Sequence, residues 1–259
     1  MTDLHFLDPN PKAGLPAVLL LHGLGADGSS WQLQFEPLIA AGFRPIAPDA
    51  PGFGSSPYHG GGWKLSRVAQ EIAGLLAELE LDAAHVVGIS MGGVIAQRLV
   101  LDFPGLVKSL VLANTFSYLR PDTLTGWLYF IRRGLLVHVV GIRAQARLVA
   151  DHLFPEPEQE PIRQELIRQI TSADPRAYRG AMRALGLFNS YKYLGDIRNP
   201  TLVITGDQDT TVPLKNQQVL AQGIPDCRQV IIPGAGHGVS VDKADEFNAA
   251  ILEFLISHN

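Results

Sequence analysis

A short apolar run, Ala84 to Val87, leads straight into Gly88-Ile89-Ser90-Met91-Gly92-Gly93, and the helical spacing of Val94 to Val100 follows at once. A buried strand must therefore pass through a tight turn directly into a helix. The glycines around Ser90 let neighbouring backbone pack against that turn. Such a turn lifts the serine hydroxyl off the sheet edge, where the helix start offers free backbone N–H groups to a developing oxyanion. With 12 serines and 26 glycines in 259 residues, composition alone predicts about 0.1 Gly-x-Ser-x-Gly match, and the flanking strand and helix add the context that three letters lack.

A serine becomes a nucleophile only when a base takes its proton and a third group orients the base. Both partners have candidates downstream. Pro200 to Gly206 reads as a buried strand and opens into Asp207-Gln208-Asp209, a loop with two carboxylates. Arg228 to Ile232 is a second β-branched run, and Pro233-Gly234-Ala235-Gly236-His237-Gly238 after it sets His237 on a glycine-rich loop. Serine, acid, histidine is a chain order that the chymotrypsin and subtilisin folds do not use.

Strands and helices alternate through the first part of the chain, the rhythm of a mostly parallel sheet covered on both faces. Ala17 to Leu21, Pro45 to Pro48 and Val107 to Ala113 read as strands, and Leu65 to Leu79 as a helix. At Asn114 the alternation stops. Helical stretches are expected over Leu124 to Arg133, Leu135 to Leu153, Ile162 to Thr171 and Pro175 to Phe188, punctuated by Pro155, Pro157 and Pro161. The sheet rhythm resumes at Pro200, so the interval reads as a helical cap inserted between core strands and lying over Ser90.

Bulk properties exclude several roles. A net charge of −4, with no basic block longer than Arg132-Arg133, leaves no electrostatic footprint for nucleic acid. Cys227 is the only cysteine, which rules out an intrachain disulfide and a cysteine-based zinc site. The histidines lack metal-ligand spacing, so no metal is expected. Neither a basic leader nor an apolar stretch of about 20 residues is present, from which no membrane association and a cytoplasmic location are expected. Nothing in the sequence bears on oligomeric state.

Near the N-terminus Ala17 to Leu21 runs into His22-Gly23-Leu24-Gly25, with Trp31 beyond. Together with Asp49 to Ser56, the Ser90 turn, Leu110 to Thr115, Gly206 to Asp209 and Gly236-His237, this resembles the α/β-hydrolase superfamily over nearly the whole chain. Within it, the chain resembles capped serine hydrolases such as carboxylesterases and 3-oxoadipate enol-lactonases. The resemblance implies the α/β-hydrolase fold, with a core domain of residues 1–115 and 190–259 and a helical cap domain of residues 116–189. It further implies a Ser-His-Asp triad. Ser90 is then the nucleophile and His237 the base, and family spacing from Gly206 selects Asp209 over Asp207 as the acid. The backbone N–H groups of Leu24 and Met91 would form the oxyanion hole, and no cofactor is needed. Trp127 and Phe130 are candidates for the substrate pocket, or else for the cap's own core. His22 and the Asp49–Ser56 stretch are read as loop-supporting residues. The expected activity is hydrolysis of a small-molecule carboxylic ester with a small to medium acyl chain, through an acyl-enzyme. Enol-lactone hydrolysis and a ligand-sensing protein that retains the triad are the alternatives. The related C–C bond hydrolases commonly carry Asn before the nucleophile and an aromatic after the histidine, positions held here by Ile89 and Gly238.

Overall fold

The computed structural model describes residues 2–12, 14–119 and 123–259. Strands β1 (Phe6–Leu7), β2 (Ala17–Leu21), β3 (Arg44–Pro48), β4 (Ala84–Ile89), β5 (Val107–Ala113), β6 (Thr201–Gly206) and β7 (Cys227–Ile232) form one sheet in the order β1-β3-β2-β4-β5-β6-β7. Only β1 runs antiparallel to its neighbour. Apart from His85, Lys108 and Ser109, β2, β4 and β5 are apolar because both faces are covered, and the two-residue period divides them. Leu19, Leu21, Val86, Leu110 and Leu112 enter one core cluster, whereas Val18, Leu20, Val87, Val111 and Ala113 enter the other.

The helices are α1 (Gln32–Ala40), α2 (Leu65–Glu78), α3 (Met91–Asp102), α4 (Leu124–Leu135), α5 (Ile142–Leu153), α6 (Glu160–Ser172), α7 (Pro175–Leu187), α8 (Leu214–Gly223), α9 (Val239–Asp242) and α10 (Ala244–Ser257). Helices α2 and α3 supply Val68, Ile72, Leu76, Val94 and Leu99 to the first cluster. On the opposite face α1 and α10 supply Leu38, Phe247, Ile251, Phe254 and Leu255, beside Trp31.

From α4 to α7 the chain is helical, inserted between β5 and β6 as expected, with one difference. The stretch Leu135 to Leu153 is not a single helix: Leu136–Val140 make a π-helical turn, and Gly141, at φ 114°, redirects the chain into α5. Glycine tolerates that backbone where a side chain would not. Pro157 opens a short 3-10 turn and Pro161 lies in the first turn of α6, where a missing N–H costs nothing. The ends of the insertion meet in an antiparallel bridge between Tyr118 and Asn189 and a 2.8 Å bond from Ser190 N–H to the Ser117 carbonyl.

Strand register fixes what the inserted helices face. Leu21 pairs with Gly88, Ile89 with Ala113, Ala113 with Ile204, and Gly206 with Ile232, so the strands end at one level. The loops after β2, β4, β6 and β7 therefore open at the same edge, the carboxyl end where α/β sheets bind ligands.

Candidate active site

Ser90 bridges β4 and α3 at φ 53° and ψ −113°, a backbone that serine adopts only under constraint. The constraint is visible in its neighbours. Ser90 N–H donates to the Ala113 carbonyl at 3.0 Å, and the Thr115 hydroxyl donates to the Ser90 carbonyl at 2.7 Å. A Cβ on Gly92 would stand 1.9 Å from the Leu21 carbonyl oxygen, and one on Gly88 2.4 Å from that of Gly92, so the turn closes only around glycine at both places.

His237 comes from the loop after β7, with Nε2 2.9 Å from Ser90 Oγ and Nδ1 2.8 Å from Asp209 Oδ2. Asp209 is held from behind. Its Oδ1 accepts the N–H groups of Thr211 and Val212 at 2.8 and 2.9 Å, and its side chain is cut off from solvent. Asp207, exposed, turns the other way and accepts the Gly234 N–H at 2.7 Å. The bond crosses to the neighbouring loop. Of the two acids, only Asp209 meets His237.

Asn114 is a residue the sequence reading missed. Fully buried at φ 43°, it accepts the Gly206 N–H through Oδ1 and donates from Nδ2 to the carbonyls of Gly236 and His237, each at 2.8 Å. One amide thus ties the acid loop to the histidine loop. The signal in the sequence, a polar residue closing an apolar strand, reads equally well as a turn.

His22 supports its loop. Its Nδ1 donates to the Gly23 carbonyl at 2.8 Å, and its Nε2 accepts the Ala50 N–H at 2.9 Å, so the ring is neutral with the proton on Nδ1. Burial keeps its pKa below the ordinary histidine value, against the pull of the Gly23 carbonyl and Asp49. Because the Gly23 carbonyl and the Leu24 N–H belong to one trans peptide, fixing the carbonyl toward His22 turns the Leu24 N–H the opposite way. Gly23 and Leu24 line the cavity at Ser90. The Met91 side chain lies wholly in the core, and its N–H, first in α3, has no acceptor within the helix. Asp49 is likewise structural: it accepts from Gly28 N–H at 2.7 Å and Ser55 N–H at 2.8 Å, and meets His5 Nδ1 at 2.8 Å.

A cavity of about 860 Å³ lies between the loop edge and the inserted helices, with Ser90 and His237 in its wall. Trp127 and Phe130 line it, as do Tyr129 and Arg133 from the same helix. Trp127 is half exposed, so it is not a residue of the insertion's own core. Gly238 faces the insertion too, since a Cβ there would meet the Phe154 ring at 2.7 Å. Among the described residues, no three His, Cys, Asp or Glu side chains gather as a metal ligand set, and no helix is long and apolar enough to cross a membrane.

The strand order, the turn at Ser90 and the loop edge define a hydrolase architecture, and the comparisons agree. Residues 16–244 match the family model of the alpha/beta hydrolase fold, and the chain belongs to that family. A protein of Variovorax paradoxus (strain S110), provisionally named carbamate hydrolase RutD, is 34% identical, over 97% of this chain and 96% of its own length. A hydrolase from Pseudomonas aeruginosa PA01 superposes with TM-score 0.87 at 26% identity, covering 97% of this chain and 94% of that one. The enol-lactonase from Burkholderia xenovorans LB400 shares the fold at TM-score 0.89 and 24% identity, covering 98% of this chain and 97% of that one.

Proposed function

We propose that the protein is a serine hydrolase that cleaves carboxylic esters of small to medium acyl chains through Ser90, His237 and Asp209. The observation that carries this reading is the unbroken relay of two hydrogen bonds, 2.9 and 2.8 Å, from one serine hydroxyl through an imidazole to a buried carboxylate. With Nδ1–H donated to Asp209, Nε2 of His237 holds the lone pair that takes the Ser90 proton as Oγ attacks the ester carbonyl. The oxyanion receives the N–H groups of Leu24 and Met91. His237 then protonates the departing alcohol, and water attacks the acyl-enzyme by the reverse path. No cofactor enters these steps. In the same reading, residues 116–189 form a cap domain over a core of residues 1–115 and 190–259, and Trp127 and Phe130 contact the substrate.

A fluorophosphonate probe should label Ser90 in the wild-type protein. Ser90→Ala should lose both the label and ester hydrolysis while keeping its circular dichroism spectrum. Labelling at another residue, or turnover retained by Ser90→Ala, would overturn the assignment.

The relative named for carbamate hydrolysis favours a second reading, since a carbamate carbonyl calls on the same nucleophile, base and oxyanion donors. Matched aryl esters, lactones and aryl carbamates separate these activities by kcat/KM. Uniformly slow turnover would point to ligand sensing.

A further inference from the structure

Arg133, on α4, is 8% exposed and lines the same cavity as Ser90 and His237. Its surroundings are neutral. With the Gln145 amide oxygen turned toward it, Nε donates at 2.9 Å, and the Gln145 amide donates back to the Arg133 carbonyl at 3.2 Å. Nη2 reaches the Tyr178 hydroxyl only at 3.5 Å, and the guanidinium carbon lies 5.6 Å from the Tyr129 ring centre. Tyr178, Tyr129 and His152 are the titratable groups coupled to it, and no Asp or Glu among the described residues forms an ion pair with it. Glu165 and Arg168, also in the cavity wall, pair with each other.

A guanidinium keeps its proton at any working pH, and a buried cation without an anion is unfavourable unless something supplies one. Here the space beside it is a cavity open to small molecules. A planar fork of N–H donors matches a carboxylate in bidentate fashion. His152, stacked on Tyr129 at 4.2 Å, is held below the ordinary histidine pKa first by burial and then by His237 and Arg133.

We propose that Arg133 recognises a carboxylate on the substrate, so that the preferred substrates are esters or lactones carrying a second, ionised carboxyl group. The inference rests on the hydrolase reading of this cavity. Ser90 and the oxyanion donors hold the scissile carbonyl, Arg133 holds the far end, and two fixed points orient the molecule between them.

Monomethyl glutarate and methyl valerate, matched in length and differing in charge, test it. The wild-type protein should prefer the monoester in kcat/KM by about tenfold or more, and glutarate should inhibit methyl valerate hydrolysis competitively. Arg133→Met should lower the preference ratio by about 10²-fold, and Arg133→Lys should restore part of it. Because a buried arginine can also support folding, glutarate binding is measured by calorimetry on the otherwise intact Ser90→Ala protein, with binding expected. Equal or better hydrolysis of methyl valerate, with no glutarate binding to Ser90→Ala, overturns the role of Arg133 and leaves the hydrolase reading intact. If neither ester is cleaved yet Ser90→Ala binds glutarate and loses it on adding Arg133→Met, the anion site stands and the ester reading fails.

Discussion

Asp207 and Asp209 stand two positions apart on one loop and meet opposite ends of the local hydrogen-bond network. Asp209, shielded from solvent, accepts two backbone N–H groups on Oδ1 and presents Oδ2 to the His237 imidazole. An amide in its place would favour the wrong imidazole tautomer. Asp209→Asn should therefore lower kcat by about 10⁴-fold, as loss of the triad aspartate does in serine proteases. Asp207→Ala removes only an exposed contact to Gly234 N–H and should cost about 1 kcal/mol of stability in denaturant titrations, with kcat nearly intact. If the kinetic losses fall the other way round, the acid is misassigned. At this scale the sequence was legible where chemistry demands a residue type at a strand end, as at Ser90 and His237. It was illegible where a role arises only from distant packing. Asn114 joins Gly206 to Gly236 and His237, which are remote in sequence, and Arg133, in a basic pair that reads as a solvated face, is buried by helices further along the chain.

Among the elements, β2, β4, β5 and β6 were readable because each is largely apolar and buried on both faces. β1 was not, being two residues long and set by its pairing with β3. The break at Gly141 was hidden because helical spacing continues on both sides of it, and only the left-handed backbone marks the change of direction. Two glycines in neighbouring helices make the local constraint measurable. Gly92, in α3, has no room for a Cβ against the Leu21 carbonyl, whereas Gly74, in α2, has nothing within 4 Å. Gly92→Ala should lower the unfolding free energy by about 3 kcal/mol or prevent folding. Gly74→Ala should raise it by about 0.5–1 kcal/mol, since alanine loses less backbone freedom in a helix. Equal effects at the two positions would contradict the close approach of α3 to β2.

For the molecule as a whole, the central sheet carries a titratable group with consequences for stability. His85, on β4, is fully buried, with Nδ1 2.8 Å from the Ser109 hydroxyl. Burial, reinforced by Lys108, pushes its pKa down to about 4. The unfolded chain takes up this proton near pH 6.5 and the folded chain does not, so stability is complete above about 6.5 and is lost as pH falls toward about 4. Over that interval the loss should be about 2 kcal/mol. Equilibrium unfolding at pH 7 and pH 4 should show a fall in the wild type that exceeds that of His85→Leu by this amount, and parallel falls would rule the contribution out.

The seam at Tyr118 and Asn189, with Ser190 bonded back to Ser117, closes the inserted helices into a loop whose two stems leave the sheet together. Beyond the seam the inserted helices also grip the core, through Asp174 N–H to the Gly52 carbonyl at 2.8 Å and the Gln169 amide to the Ser29 hydroxyl at 3.1 Å. A chimera cut at that seam should therefore fold only when the core residues those helices grip, Gly52 and Ser29 among them, are matched to the helices that arrive.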